Sequence, residues 1–302
     1  MKVLYIAKHN QFDNEDELAI AHALRVNGHD PITVQEFDTE RSVNTEADFC
    51  LVHNYSNFDV LKSVSYKMPV VCWFFDKIEF TDIQLQGRSV HRTQWLNRML
   101  GVCSHVFLTD GDAVNSRPQY PNLHWLTQGM DERKIGRGNP DSKGEHYDIL
   151  FTGTPRHGTK REEHIAQLQQ RWGSRFHVIG AGLPKTRVHG RELADLFART
   201  KIVVAPDGPG SDYYWSNRVY LTMGLGGFLL HPYSAGLRRQ YPGPVPLMYN
   251  NREELNHFIE QMLNPKKEND RQAMIEAGLV WTANQNLYRH RVQDLIRIVE
   301  KG

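Results

Sequence analysis

The most constraining feature of the chain is the stretch from residue 201 to 232. Its apolar run Lys201-Ile-Val-Val-Ala-Pro206 predicts a buried parallel strand. A polar loop follows, then Ser216-Asn217 as a helix start with Arg218 in the first turn, and Gly226-Gly-Phe-Leu-Leu230 as the next strand. Strand, loop, short helix and strand in that order belong to an open α/β sheet. Loops and helix starts at the carboxyl edge of such a sheet are where ligands bind. An arginine beside free backbone N–H groups suits an anion there. The alternative for Arg218 is a surface salt bridge that ties down the loop.

The rest of the chain fits the same class. Its 302 residues correspond to about two domains and can bury a sizeable core. A composition of 40% apolar and 24% charged residues is that of a soluble globular protein, and the net charge of +1 neither demands nor excludes nucleic acid. Cys50, Cys72 and Cys103 are widely spaced in apolar runs and read as reduced core residues rather than a disulfide or metal set. Met1-Lys-Val-Leu-Tyr-Ile-Ala7 is too short for a signal peptide and reads as a first strand. No apolar run reaches about 18 residues, so no membrane span is expected, and the expected location is the cytoplasm.

Strands are predicted at 3–7, 32–34, 49–52, 70–75, 105–108 and 123–126, with helices between them, including 15–26 and about Ser89 to Leu100. Residues 1–131 form the first expected domain. The stretch 132–146, rich in Gly, Lys, Arg and Asp, is the expected linker. Residues 147–285 form a second α/β set, with strands at 147–152 and 176–179 and helices at 160–172 and 191–198. The tail is helical at 252–263, 270–281 and 287–300.

Several residues carry candidate chemistry. Thr152-Gly-Thr-Pro-Arg-His-Gly-Thr-Lys-Arg161 follows a strand; its glycines let backbone approach a ligand, and Arg156, Lys160 and Arg161 cluster where the helix begins. Cations there oppose the helix dipole, a cost that a bound phosphate offsets; the alternative is a solvated basic turn. Asp76 ends the most apolar strand of the first domain, beside Trp73, Phe74 and Phe75. Desolvation there suits a general base, whereas a helix cap or a pair with Lys77 is the structural alternative. Glu15, Asp16 and Glu17 open the first helix as dipole partners, with Asp16 also placed to touch a ligand. Asp110-Gly-Asp112 reads as a helix cap rather than a metal motif, and the fifteen histidines form no zinc pattern.

The run Arg218-Val-Tyr-Leu-Thr-Met-Gly-Leu-Gly-Gly-Phe228 resembles the donor-binding segment of GT-B glycosyltransferases. Among them it is similar to the spore-maturation (CgeB-like) family and, more distantly, to the phage DNA β-glucosyltransferases. The resemblance implies two Rossmann-like domains facing a central cleft, with a C-terminal helix (286–302) crossing back to the first domain. It implies an acceptor domain first and a nucleotide-sugar donor domain second. The activity implied is hexosyl or pentosyl transfer from a nucleotide-diphosphate sugar, a UDP-sugar such as UDP-glucose above all, without metal or other cofactor.

By resemblance, Gly153, Arg156, Lys160, Arg161 and Arg218 hold the diphosphate. Val188, His189, Gly190, Tyr220 and Leu221 sit at the base and ribose. Asp16, Gly129, Asp212, Tyr213, Tyr214, Ser216 and Asn217 line the sugar site. The match of Phe74-Phe-Asp-Lys-Ile78 to the phage enzymes makes Asp76 the base and the reaction inverting. Two departures stand out: Leu221 replaces the glutamate that holds the ribose, and Tyr213 replaces the other glutamate of the retaining motif. The implied acceptor is either a hydroxymethylated DNA base, with Arg92, Trp95, Arg98 and Arg117 as a basic surface, or a glycan or small molecule. A GT-B scaffold that binds nucleotide or glycan without turnover is the rival reading, and Leu221 is its support.

Overall fold

The structure, a computed structural model, describes residues 1–9, 16–54, 57–78, 82–85, 88–155, 160–180, 188–206 and 211–301. The chain divides into two compact units, Met1–Gly129 with Tyr288–Gly302, and Met130–Leu287.

The first unit runs β1 (Lys2–Ala7), α1 (Asp16–Val26), β2 (Asp30–Gln35), α2 (Thr39–Asn44), β3 (Phe49–His53), α3 (Phe58–Ser65) and β4 (Val70–Phe74). It continues through the hairpin of β5 (Asp82–Leu85) and β6 (Arg88–His91), then α4 (Arg92–Val102), β7 (His105–Leu108), α5 (Gly111–Asn115) and β8 (Leu123–Trp125). Six strands pair in parallel in the order β2-β1-β3-β4-β7-β8. Both faces are covered, so successive residues of a strand enter opposite cores. Along β4, Val70, Cys72 and Phe74 join one core while Val71, Trp73 and the following Phe75 join the other. Trp73 is wholly buried with its indole N–H on the Leu126 carbonyl at 3.1 Å. Burying such a side chain contributes roughly 1.5–3 kcal/mol, and the hydrogen bond removes the penalty of its one polar atom.

The second unit runs β9 (Tyr147–Thr152), α6 (Lys160–Trp172), β10 (Phe176–Ile179), α7 (Gly190–Ala198), β11 (Thr200–Val204), α8 (Arg218–Gly224) and β12 (Leu229–Pro232). It closes with α9 (Ala235–Gln240), β13 (Leu247–Tyr249), α10 (Arg252–Met262) and α11 (Glu268–Gln285). Its parallel sheet has the order β10-β9-β11-β12-β13. The stretch 132–146 belongs to this unit: Gly136 N donates to Gly224 O at 2.9 Å, and Asn139 N to the Asp195 carboxylate at 2.7 Å. The last helix, α12 (Tyr288–Val299), returns to the first unit. It lays Tyr288, Val292, Leu295 and Ile296 along the core that also holds Ala19, Ile20, Ala23 and Leu24 of α1. That is the i, i+4, i+7, i+8 stripe of an amphipathic helix.

Two local expectations change. The helix expected from Ser89 starts at Arg92, because Arg88–His91 pairs with Asp82–Leu85 as an antiparallel hairpin; the alternation of Ser89, Val90 and His91 has the strand period of two. The start of α8 at Arg218, directly after Ser216-Asn217, is as expected, with Asn217 in a helical conformation and without a side-chain cap. Gly226 and Gly227 end that helix instead of opening a strand. Gly226 has φ +78°, its N–H bonds Met223 O at 3.2 Å, and Gly227 N bonds Thr222 O at 2.7 Å. This is the Schellman closure, which a left-handed glycine permits.

All three cysteines are free and buried, as expected. Burial pushes the Cys103 thiol up to about 12, and pushes those of Cys50 and Cys72 up as well. Among the described residues no helix is long and apolar enough to cross a membrane. Gly226→Ala should destabilise the protein by more than about 1 kcal/mol, since the φ is positive and a Cβ would lie 2.6 Å from Arg137 Cγ. Denaturant unfolding of the variant measures this.

Candidate functional site

Both sheets reverse their strand order at an equivalent place, between β1 and β3 in the first unit and between β9 and β11 in the second. Loops leaving two such neighbours diverge to opposite sides, so a crevice opens between them at the carboxyl edge. Each crevice gathers polar side chains from distant parts of the chain, and the two sets differ in kind.

In the second unit the crevice is built on glycine and arginine. Gly153 follows β9 with φ +140°, and its N–H donates to Ile179 O at 2.8 Å. Arg218 comes from the first residue of α8, 65 residues later. Its Nε donates to Thr152 O at 2.8 Å and its guanidinium lies 4.8 Å from the Phe151 ring centroid. A Cβ on Gly153 would stand 2.6 Å from Arg218 Nη2, and the positive φ itself favours glycine at this position. The neighbouring β10 end is as tight: a Cβ on Gly180 would overlap the Gly153 carbonyl.

Arg161 reaches back to the same loop, its Nη1 3.4 Å from Thr154 O, while Lys160 is exposed at the start of α6. Arg156 lies outside the described residues. The structure therefore brings Gly153, Arg218 and the Arg161 turn together, a fixed cationic edge of the kind that takes an anion.

The loop from Ser211 to Asn217 is anchored on α9. Asp212 O accepts from Ser234 Oγ at 2.9 Å and Gly236 N at 2.7 Å, while its side chain is exposed. Tyr213, Tyr214, Ser216 and Asn217 are half-buried, and Arg239 stacks on the Tyr213 ring at 5.7 Å. Ser216 Oγ is 3.5 Å from Arg218 Nη1. Tyr220 is placed differently from a ligand contact. It is fully buried, and its hydroxyl accepts from Trp215 Nε1 at 2.9 Å and donates to Gln240 at 2.7 Å. An aromatic ring on the inward face of a short helix packs as core. Leu221, one residue on, is half-exposed. Val188, His189 and Gly190 start α7, with His189 exposed and Gly190 at φ +52°.

In the first unit the crevice carries carboxylates, imidazole and phenols. Asp16 accepts from the Tyr288 hydroxyl at 2.6 Å and lies 3.5 Å from Gln128 Nε2. Glu17 pairs with His53 at 3.0 Å, where the imidazole is only 3% exposed and packs on Phe75 at 4.2 Å between centroids. Burial pushes the Glu17 carboxyl up, but the contact with His53 outweighs it and holds the group below its ordinary value. Burial and the nearby Glu17 and Asp16 push the Tyr5 hydroxyl up; burial, then Asp16, does the same to Tyr288. Gly129 is buried beside this edge. Sequence reasoning missed His53, Tyr5 and Tyr288. Isolated aromatic and histidine residues in apolar runs give no signal until pairing places β1, β3 and α12 side by side.

Asp76 follows β4 on a turn clamped from both sides. Phe75 N donates to Asn54 Oδ1 at 3.0 Å, Thr109 Oγ1 donates to Phe75 O at 2.7 Å, and Ile78 N donates to Asp110 Oδ2 at 2.9 Å. Asn54 takes φ +48° to do this, the only non-glycine with positive φ among the described residues. The expected desolvation of Asp76 does not occur: its side chain is 50% exposed and faces Arg92 Nη2 at 3.3 Å. The aromatic side chains before it point into the cores, so the burial falls on Asp110 instead. That carboxyl is pushed up by burial in spite of the N–H groups of Ile78 and Ala113. Asp110 also caps α5 through Ala113 N at 3.2 Å, as its sequence context indicates.

Of the basic surface expected from Arg92, Trp95, Arg98 and Arg117, Arg98 is exposed and Arg92 and Arg117 are half-buried, whereas Trp95 does not reach the surface. Trp95 is wholly buried against Phe74, and Arg98 covers the Phe58 ring at 3.7 Å. Arg117 bonds Ala113 O and Ser116 Oγ, both at 2.9 Å, and Arg92 bonds Lys77 O.

Residues 156–297, just under half of the chain, match the glycosyl transferase-like family model. No curated protein matches the sequence. Among solved structures, Anabaena HepE in complex with UDP and glucose superposes with a TM-score of 0.65 at 11% identity over 100% of both chains. A glycosyltransferase from Rickettsia africae gives 0.66 at 9% identity over 99% of this chain and 98% of that one. T4 phage β-glucosyltransferase gives 0.62 at 13% identity over 99% of both. The fold is thus the two-sheet α/β arrangement of the GT-B glycosyltransferases.

Because Glu17 titrates lower in the folded than in the unfolded chain, its stabilising contribution is present above the unfolded value near 4.5 and is lost as pH falls through the folded value. Glu17→Gln should therefore flatten the acid loss of stability by up to about 1.4 kcal/mol per pH unit, one proton's worth. Urea unfolding of both proteins across that acid range measures the difference in slope.

Proposed function

We propose that the protein is a glycosyltransferase that moves a sugar from a nucleotide-diphosphate donor, a UDP-sugar, to an acceptor hydroxyl. The observation that carries this reading is the convergence of Gly153, Thr152 and Arg218 at the switch point of the second sheet. Supporting it are the glycosyl transferase-like match across Arg218 and the likeness of the fold to proteins seen with UDP and UDP-glucose.

Within this reading the second unit takes the donor and the first the acceptor. Arg218, with Arg156, Lys160 and Arg161, neutralises the charge that grows on the leaving diphosphate, as fixed cations do without reorganisation. Val188, His189, Gly190 and Leu221 border the base and ribose, where Leu221 offers apolar contact in place of a carboxylate. The half-buried loop Tyr213 to Asn217, with Asp212, borders the sugar.

The acceptor hydroxyl enters at the carboxyl edge of the first sheet, near Asp16 and Gly129. Asp76 removes its proton as the oxygen forms the new bond to the anomeric carbon. The bond to the diphosphate breaks and its electron pair leaves with the phosphate, so the sugar is inverted. The burial of Trp95 removes the one aromatic side chain of that surface from solvent, which favours a glycan or small-molecule hydroxyl over DNA as acceptor. The likeness to a DNA-modifying β-glucosyltransferase favours DNA, and gel shift with duplex DNA at low and moderate salt separates the two.

A scaffold that binds the nucleotide without turnover is the second reading, and the observation that favours it is Leu221. Removing the oriented charge at the diphosphate costs about 3 kcal/mol, or on the order of a hundredfold in kcat. Arg218→Ala should show that loss in sugar transfer from UDP-glucose while still folding. Turnover near wild type in this variant refutes the assignment of Arg218. Wild-type protein that is stabilised by UDP yet hydrolyses and transfers nothing identifies the binding module.

A further inference from the structure

The amino-terminal edge of the second sheet, opposite the crevice just described, holds a pocket of about 310 Å³. Its walls come from the starts of β9 and β11, the turn before β10, and the first turns of α11. In an α/β unit this edge is ordinarily plain, since ligand loops gather at the other end of the strands. Here it collects four permanent cations, Arg175, Arg199, Lys201 and Arg271, against two carboxylates, Asp148 and Glu268.

The pairing leaves the imbalance in place. Asp148 alone serves two cations, with Arg175 Nε and Lys201 Nζ each at 2.7 Å from its oxygens. Arg271, itself 3% exposed, is matched by Glu268 and the Met262 carbonyl. The Arg199 guanidinium donates to backbone carbonyls, Lys143 O at 3.0 Å and Asp195 O at 3.2 Å, which carry no net charge. Its guanidinium is fixed against Gly144, at φ +142°, where a Cβ would overlap Nη1. One carboxylate for two cations and a third cation on carbonyls alone leave an excess of two positive charges among the lining residues; the Glu145 carboxylate, which is not part of the lining, accepts from the Tyr147 hydroxyl at 2.9 Å.

From this imbalance we infer a second anion site, one that takes a phosphate group or a small phosphorylated molecule at the amino-terminal edge, apart from the donor crevice. A doubly charged phosphate matches the excess. The volume lies at the lower end of small-molecule sites, and the Tyr147–His177 ring pair, centroids 4.8 Å apart, supplies an aromatic wall for the remainder of such a ligand. The site is independent of the proposed transfer reaction, and occupancy there would stabilise the second unit.

The test is calorimetric titration of the protein with inorganic phosphate and with glucose 1-phosphate, against chloride at matched ionic strength. Four proteins are compared: wild type, Arg218→Ala, the double variant Arg199→Gln with Lys201→Gln, and Ser174→Glu. Ser174 is an exposed lining residue, and glutamate there fills the charge deficit while breaking no ion pair. Saturable binding is expected in wild type and in Arg218→Ala, weakened at least tenfold in the double variant and in Ser174→Glu. Far-ultraviolet dichroism checks that each is folded. If the double variant does not fold, Ser174→Glu decides alone. Binding indistinguishable from chloride overturns the inference, as does loss in Arg218→Ala with retention in Ser174→Glu. UDP titration of the same proteins reports on the donor crevice separately, so failure of one reading is not failure of the other.

Discussion

The reversal of strand order inside each parallel sheet is the constraint on which the rest depends. Both faces of both sheets are sealed by helices, so backbone and side chains within the strands are committed to packing. Polar chemistry is left to the edges. At the carboxyl edge the reversal between β1 and β3, and between β9 and β11, sends neighbouring loops apart and leaves room between them. A sheet with strands in simple sequence order would have no such gap, and the same loop residues would be spread along a closed edge.

The two gaps were filled by opposite chemistry on the same plan. In the second unit glycine removes side-chain bulk so that an arginine can lie against backbone, giving a positive edge with almost no volume of its own. In the first, Asp16 and Glu17 are each held by a partner from elsewhere in that unit, Tyr288 and His53, so the carboxylates are fixed although they start a surface helix. Fixed charges of this kind need no rearrangement when charge moves, which is what the proposed sugar transfer demands. The turn that carries Asp76 is built the same way, with Asn54, Thr109 and Asp110 holding its backbone while the carboxylate itself stays in contact with solvent.

Much of this was legible because each signal was local. Apolar runs such as Val70 to Phe75 read as doubly buried strands, and the spacing of Lys160 to Trp172 gives a helix with those ends. Gly153 and Arg218 were both singled out by their own neighbourhoods. The misreadings were also local. Gly226-Gly-Phe next to Leu-Leu looks like a strand by composition, yet φ and the bonds to Met223 and Thr222 make the glycines a helix end. Trp95, set among arginines, has the sequence context of a nucleic-acid surface, but an indole can fill a core without any change in the local pattern.

The sequence by itself determined the class of fold, the element order, the reduced cysteines and the glycine–arginine character of the second unit, since all of these follow from periodicity and residue type over a few positions. Only the tertiary structure decided that Arg218 meets Gly153, that Glu17 meets buried His53, that Tyr220 is core, and that Asp110 rather than Asp76 bears the cost of burial. Those outcomes depend on parallel pairing across dozens of residues and on which side of a strand or short helix faces inward. Neither is encoded in any window of sequence short enough to be read alone.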